Sequence, residues 1–129
     1  MVDTSGSVND DMLSAVYSEI CNALLQFNGG LVGMLGFFDM RVYTPVSFST
    51  ISDLLRIKPI GHGGTNFNCI FDYVQSNLPD NAPVDIVIFT DGQADFPDEA
   101  TANNIPVLWL LTDRNVEPPW GKYAYVDTK

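Results

Sequence analysis

Val84-Asp85-Ile86-Val87-Ile88-Phe89-Thr90-Asp91-Gly92 is the stretch that decides the fold class. Val84 to Thr90 reads as a buried strand that stops at Asp91-Gly92. Upstream of it, Phe67, Ile70, Phe71, Val74 and Leu78 mark one face of a long helix, and Pro79 to Pro83 form the linking turn. Downstream, Ile105 to Thr112 is a second apolar strand, with Pro106 at its start, where a missing donor is tolerated. Pro118-Pro119 forces a turn, and Tyr123 to Val126 is a last short strand.

The first half repeats the alternation. Val8 to Phe27 is an amphipathic helix, with Val16, Ile20, Leu24 and Phe27 on one face. Asp10 and Asp11 lie in its first turn, where the helix dipole favours acids. Asn28-Gly29-Gly30 ends it. Leu31 to Phe38 is almost wholly apolar, a strand covered on both faces. Arg41 to Phe48 alternates, as a more exposed strand paired through a tight turn at Asp39-Met40. Ser49 to Arg56 is a short helix capped by Thr50 or Ser52, and Gly61-His62-Gly63-Gly64 is a flexible loop. Strands alternating with helices predict an α/β sheet with helices on both faces. Ligands of such sheets bind beyond the carboxyl ends of the strands, where strand order reverses.

Composition narrows the function classes. The 129 residues are 46% apolar and 17% charged, with 8 Phe, 5 Tyr and 2 Trp, so the chain can build a core and is not of disordered type. Six Lys plus Arg against 16 Asp plus Glu leave a net charge of −10, which argues against nucleic-acid and anionic-lipid partners. No apolar run has the length of a membrane span. Asp3, Asp10 and Asp11 stand where a signal peptide would be basic. Cys21 and Cys69, 48 positions apart in the chain and without metal-site spacing, read as buried thiols in a reducing cytoplasm.

The chemistry lies in three separated segments. Asp3-Thr4-Ser5-Gly6-Ser7 directly precedes a helix and offers one carboxylate and two hydroxyls on the same side of an extended loop. Thr65 follows Gly63-Gly64, and Asp91 ends the decisive strand. Two carboxylates and three hydroxyls are hard oxygen donors of low charge, a set that suits Mg²⁺ or Mn²⁺. Zinc would want nitrogen or sulfur, and His62 is the lone histidine. Taken alone, the opening segment reads better as a helix start, with Ser7 as N-cap and the serines as turn formers, and only Thr65 and Asp91 tip the reading toward a metal.

Together, Asp3-Thr4-Ser5-Gly6-Ser7, Gly64-Thr65 and Thr90-Asp91-Gly92 resemble the metal-ion-dependent adhesion site of von Willebrand factor A-type (VWA) domains. The resemblance covers nearly the whole chain. It is closest to the VWA-like C-terminal domain of bacterial putative metallopeptidase proteins, through Gly63-Gly64-Thr65-Asn66-Phe67, Asp39, Phe96-Pro97, Pro106-Val107-Leu108-Trp109 and Pro118-Pro119-Trp120-Gly121. It implies a Rossmann-like three-layer sandwich, residues 1–129 forming one domain, with a mostly parallel sheet and an antiparallel edge strand at Arg41 to Phe48. Ser5, Ser7 and Thr65 would contact the metal, and Asp3 and Asp91 would hold it directly or through waters. Asp39, Asn66 and Asp95 are candidates for a supporting ring, although Asp39 equally suits a turn and Asp95 a solvated loop. The implied activity is binding of an Asp or Glu of a protein partner to the metal, beside a ring-forming ATPase or a fused peptidase-like domain.

The chain departs from the family pattern in having Asn66 where relatives often carry Asp, and in stopping at its last strand. Only Met1 and Val2 precede Asp3, against ~5–6 residues in an average strand. The expectation is a clipped first strand and a chain that is the C-terminal part of a longer protein. An enzyme assisted by the metal, hydrolytic or phosphotransferring, is the alternative, and a metal-free scaffold a third. No Gly-x-x-x-x-Gly-Lys, Gly-x-Ser-x-Gly or His-Glu-x-x-His is present, so any peptidase activity would belong to an upstream domain. Trp109 and Trp120 read as core or packing residues, Met12 and Met34 as core, and His62 as an exposed loop residue.

Overall fold

A computed structural model gives the structure of the chain. It describes residues 1–6, 9–26, 33–59, 61, 63–78, 83 and 85–126, with no side chain for Leu24. The expectations placed on Ser7, Val8, Phe27 to Val32, His62, Pro79 to Ala82 and Val84 lie outside the described residues, as does the part of the first helix face assigned to Leu24.

The elements follow in the order β1 (Val2–Asp3), α1 (Asp10–Gln26), β2 (Gly33–Leu35), β3 (Phe37–Phe38), β4 (Val46–Phe48), α2 (Ile51–Leu55), α3 (Asn68–Asn77), β5 (Ile86–Thr90), β6 (Val107–Leu111) and β7 (Lys122–Tyr125). A 3₁₀ turn at Glu99–Ala102, which the residue pattern did not announce, joins β5 to β6. Five strands form one sheet in the order β3-β1-β5-β6-β7, and all four pairings are parallel. β4 runs antiparallel to β2 in a two-stranded ladder. The architecture is the α/β, mostly parallel VWA-like fold. Among the described residues no helix is long and apolar enough to cross a membrane.

The pleat divides the core in two. Alternate residues of a strand project to opposite faces. Val2, Phe37, Phe89 and Leu110 therefore face α1 and α2, where they meet Val16, Tyr17 and Leu54. Phe38, Ile86, Ile88, Val107, Trp109 and Leu111 face the other way, onto Phe67, Ile70, Phe71 and Val74 at and along α3. Trp109 is fully buried and its ring packs edge-on against Phe67, Phe96 and Trp120. α2 begins as its sequence demands. The Thr50 hydroxyl accepts the Asp53 amide at 3.1 Å, and the Asp53 carboxylate accepts the Ser49 amide at 3.1 Å.

Three expectations need correction. Arg41 to Phe48 is not one strand. Only Val46–Phe48 is, and Val42 makes an isolated bridge to Phe38. The Asp39 carboxylate accepts the Arg41 amide at 3.2 Å and turns the chain back on itself, while Pro45, without an N–H, cannot extend a ladder. Met34 is not core. It is 49% exposed, because the α1–α2 layer covers the side of β2 that carries Leu35, leaving Met34 on the other. For the same reason the strand around it is not covered on both faces. Met12 is half-buried.

Candidate functional site

In this strand order, the chain moves to one side of β1 when it forms β3 and to the other side when it forms β5. The order therefore reverses between β1 and β5, and the crevice at their carboxyl ends is the expected ligand position. Asp3 is the last residue of β1 and Thr90 the last of β5. Among the described residues, the buried polar or charged ones are Asp3, Thr4, Ser5, Asp39, Thr90 and Asp91. All six stand at the carboxyl ends of β1, β3 and β5. Burial of polar groups is costly unless they are paired, so their collection at one end marks this as the built site.

Their pairing is specific. The Thr90 hydroxyl donates to Asp3 Oδ2 at 2.6 Å and in turn accepts the Gly92 amide at 3.0 Å. The Ser5 amide donates to Asp3 Oδ1 at 2.8 Å, and the Ser5 hydroxyl also bonds the Asp3 carboxylate. Burial pushes the Asp3 carboxyl above its ordinary range, and the charge of Asp91 adds to this. The donors from Thr90 and Ser5 pull the other way without cancelling it. Asp91 Oδ1 accepts the Gln93 amide at 3.0 Å, which shapes the turn leaving β5. Gly92 holds that turn at φ +78°, where a Cβ would stand 2.6 Å from Val116 Cγ1, so glycine is required there.

A third segment joins from the loop before α3. The Gly6 amide donates to the Gly63 carbonyl at 3.0 Å, tying the loop after β1 to the segment carrying Thr65. Thr65 itself is half-buried. Asp39, at the end of β3, accepts the Gly63 amide on Oδ2 at 3.1 Å and the Asn66 amide on its own carbonyl at 2.9 Å. The Tyr43 hydroxyl also donates to Asp39 Oδ2, at 3.0 Å. Burial works against the Asp39 carboxylate, yet the donors from Arg41, Gly63, Tyr43 and Met40 outweigh it and hold its pKa below the ordinary value.

The structure thus brings Asp3, Ser5 and Asp91 to the ends of the two central strands and carries the segment of Thr65 to them. Ser7 and His62 lie outside the described residues. The side-chain oxygen of Asn66 accepts the Asn68 amide at 3.0 Å, so it serves the first turn of α3. Asp95 is exposed in the loop after β5. Two contributors escaped the sequence reading. Thr90 was legible in Thr90-Asp91-Gly92 but was not singled out as the group that binds Asp3. Tyr43 carried no signal, since a tyrosine in an alternating stretch looks like a strand residue.

The donor chemistry fits a hard dication. Asp3 and Asp91 supply carboxylate oxygens, each with two lone pairs, at the same end of the sheet. The side-chain oxygens brought here are carboxylates and hydroxyls, as Mg²⁺ prefers. Among the described residues no three His, Cys, Asp or Glu side chains converge, so the set is two acids plus hydroxyls, not an acid cage. Thr112 stands at the same end. It follows Leu111, the neighbour of Thr90, and its buried hydroxyl oxygen has no hydrogen-bond partner among the described residues.

No curated protein matches the chain. A family model described as VWA-like domain (DUF2201) matches residues 1–127, in keeping with the sheet order and with the position of the buried polar groups. The chain therefore belongs to the VWA-like domain family (DUF2201).

Proposed function

We propose that the chain is a protein-interaction domain whose contact is made through a divalent cation, Mg²⁺ or Mn²⁺, held by Asp3, Ser5, Ser7, Thr65 and Asp91. The observation that carries this reading is the gathering of every described buried polar residue at the switch point between β1 and β5. Asp3 and Asp91 repel one another there, and a bound dication would relieve that repulsion. Without a cation, Asp3 and Asp91 would repel an incoming carboxylate, whereas the cation would attract it, so the metal reverses the sign of the contact. An Asp or Glu of a partner protein is accordingly the group this site would take.

Binding is favoured over turnover because no Gly-x-x-x-x-Gly-Lys, Gly-x-Ser-x-Gly or His-Glu-x-x-His motif accompanies these residues in the sequence.

The test is calorimetric titration of the chain with MgCl₂ and MnCl₂, joined to thermal melts. A cation at 100 times its Kd stabilises the native state by about 2.7 kcal/mol. That stabilisation should appear in the wild type and vanish in Asp91→Ala, a variant that leaves the Asp3–Thr90 bond in place. Absence of any heat or shift at millimolar cation would overturn the metal reading. Phosphate-ester turnover that disappears in Asp3→Asn would overturn the binding reading in favour of an enzyme.

A further inference from the structure

We infer that Asp39 is a positioning residue for Thr65, holding both ends of the short segment that carries it. The inference rests on the reading of Thr65 as a metal ligand.

The geometry is a clamp around one residue. The carboxylate of Asp39 receives the Gly63 amide at 3.1 Å, two positions before Thr65. Its main-chain carbonyl receives the Asn66 amide at 2.9 Å, one position after. Thr65 is therefore spanned by two bonds to a single residue at the end of β3, a strand fixed in the parallel sheet beside β1. The Gly63 carbonyl meanwhile accepts the Gly6 amide at 3.0 Å, so the same segment is also pinned to the loop holding Ser5. Gly63 permits the approach, since a Cβ there would lie 3.1 Å from Asp39 Oδ2.

The carboxylate is itself held rigid. Arg41 donates its amide to Oδ1 at 3.2 Å, and Tyr43 donates its hydroxyl to Oδ2 at 3.0 Å. The Arg41 guanidinium lies 4.4 Å from the Tyr43 ring centre, in cation–π contact with it. Only an ionised carboxylate accepts at both oxygens without presenting a donor. An asparagine would turn an N–H₂ toward one of these amides or toward the Tyr43 hydroxyl. Groups that orient metal ligands from behind typically change metal affinity by about 10–100-fold when altered.

The experiment is Mn²⁺ titration of the full chain, read by electron paramagnetic resonance, on the wild type, Asp39→Asn, Tyr43→Phe, Thr65→Ala and the double variant Asp39→Asn/Thr65→Ala. Asp53→Asn serves as control, because Asp53 also accepts a backbone amide but does so at α2. Asp39→Asn should weaken Mn²⁺ about tenfold, whereas Asp53→Asn should change the melting temperature and leave the affinity alone. In the Thr65→Ala background, Asp39→Asn should add no further loss, because it acts through Thr65. Should Asp39→Asn fail to fold, Tyr43→Phe carries the test with an expected loss of a few-fold. Unchanged affinity in the folded Asp39 or Tyr43 variant, or full additivity in the double variant, overturns the inference and leaves the metal reading standing. A wild-type chain that takes up no Mn²⁺ overturns the metal reading and this inference with it.

Discussion

The hydroxyl of Thr90 donates to the carboxylate of Asp3 across 2.6 Å, linking the last residues of two central strands that are 87 positions apart in the chain. The same hydroxyl accepts the Gly92 amide, so one oxygen supports both the buried acid and the turn after β5. Thr90→Val keeps the shape and removes both bonds. The expected cost is about 1–3 kcal/mol, from a buried carboxylate and a buried amide that each lose a partner. Thr90→Ser should recover most of it. Urea unfolding of the three chains decides the matter, and equal midpoints for Val and wild type would show that the bond contributes nothing net.

Alkaline stability should depend on Cys69. Burial, with the charges of Asp39 and Asp72 adding to it, pushes its thiol from an ordinary 9.0 up to about 11. The unfolded chain thus releases this proton first, and between those values it binds fewer protons than the native state. Stability is therefore complete below about pH 9 and declines as pH rises toward 11. Urea melts at pH 8 and pH 10 should show a larger drop for the wild type than for Cys69→Ala. Equal drops would mean that the thiol is not held neutral by the fold.

Phe67 ties the Thr65 segment to the core. It is fully buried immediately before α3, with its ring centre 5.2 Å from those of both Phe96 and Trp109. Phe67→Ala should cost about 3–5 kcal/mol. It should also shift tryptophan emission to the red, since Trp109 loses an edge-on neighbour and its exclusion from water. A blue emission maximum retained in the folded variant would contradict this packing role.

Gly92→Ala should be destabilising for two separable reasons. The left-handed backbone at φ +78° disfavours any Cβ, by roughly 1–2 kcal/mol. The added methyl would also meet Val116 Cγ1 at 2.6 Å, and such overpacking costs about 1–3 kcal/mol. Adding Val116→Ala should therefore restore only part of the second share, because Val116 Cβ at 3.2 Å and Leu111 Cδ2 at 3.3 Å stay close to the added methyl. Complete restoration in the double variant would mean that the backbone is unstrained by the alanine.

Much of this fold is legible in the letters because burial on both faces leaves an unmistakable apolar run. Ile86 to Thr90 and Val107 to Leu111 are such runs, and Phe67 to Val74 shows helical spacing. The loop motif at Asp3 and Ser5 and the acid at Asp91 fall where strands end, and the sheet order then brings them together. What stays hidden depends on contacts with no period. Asp39 gathers donors two, four and twenty-four positions away, and no local pattern distinguishes that from an ordinary turn acid. Nor does alternation in Arg41 to Phe48 reveal that the carboxylate of Asp39 will bend the chain before a ladder forms. Met34 looks like core because its neighbours are apolar, while its exposure depends on where distant helices stop.

The interior position of β1, between β3 and β5, has a consequence for how the chain is made. Its first strand leaves the ribosome long before β5, and at common synthesis rates the interval is on the order of ten seconds. During that time one flank of β1 waits without its neighbour, a template for pairing with another nascent chain. A charged side chain such as Asp3 on an unpaired strand is among the features that oppose pairing of that kind.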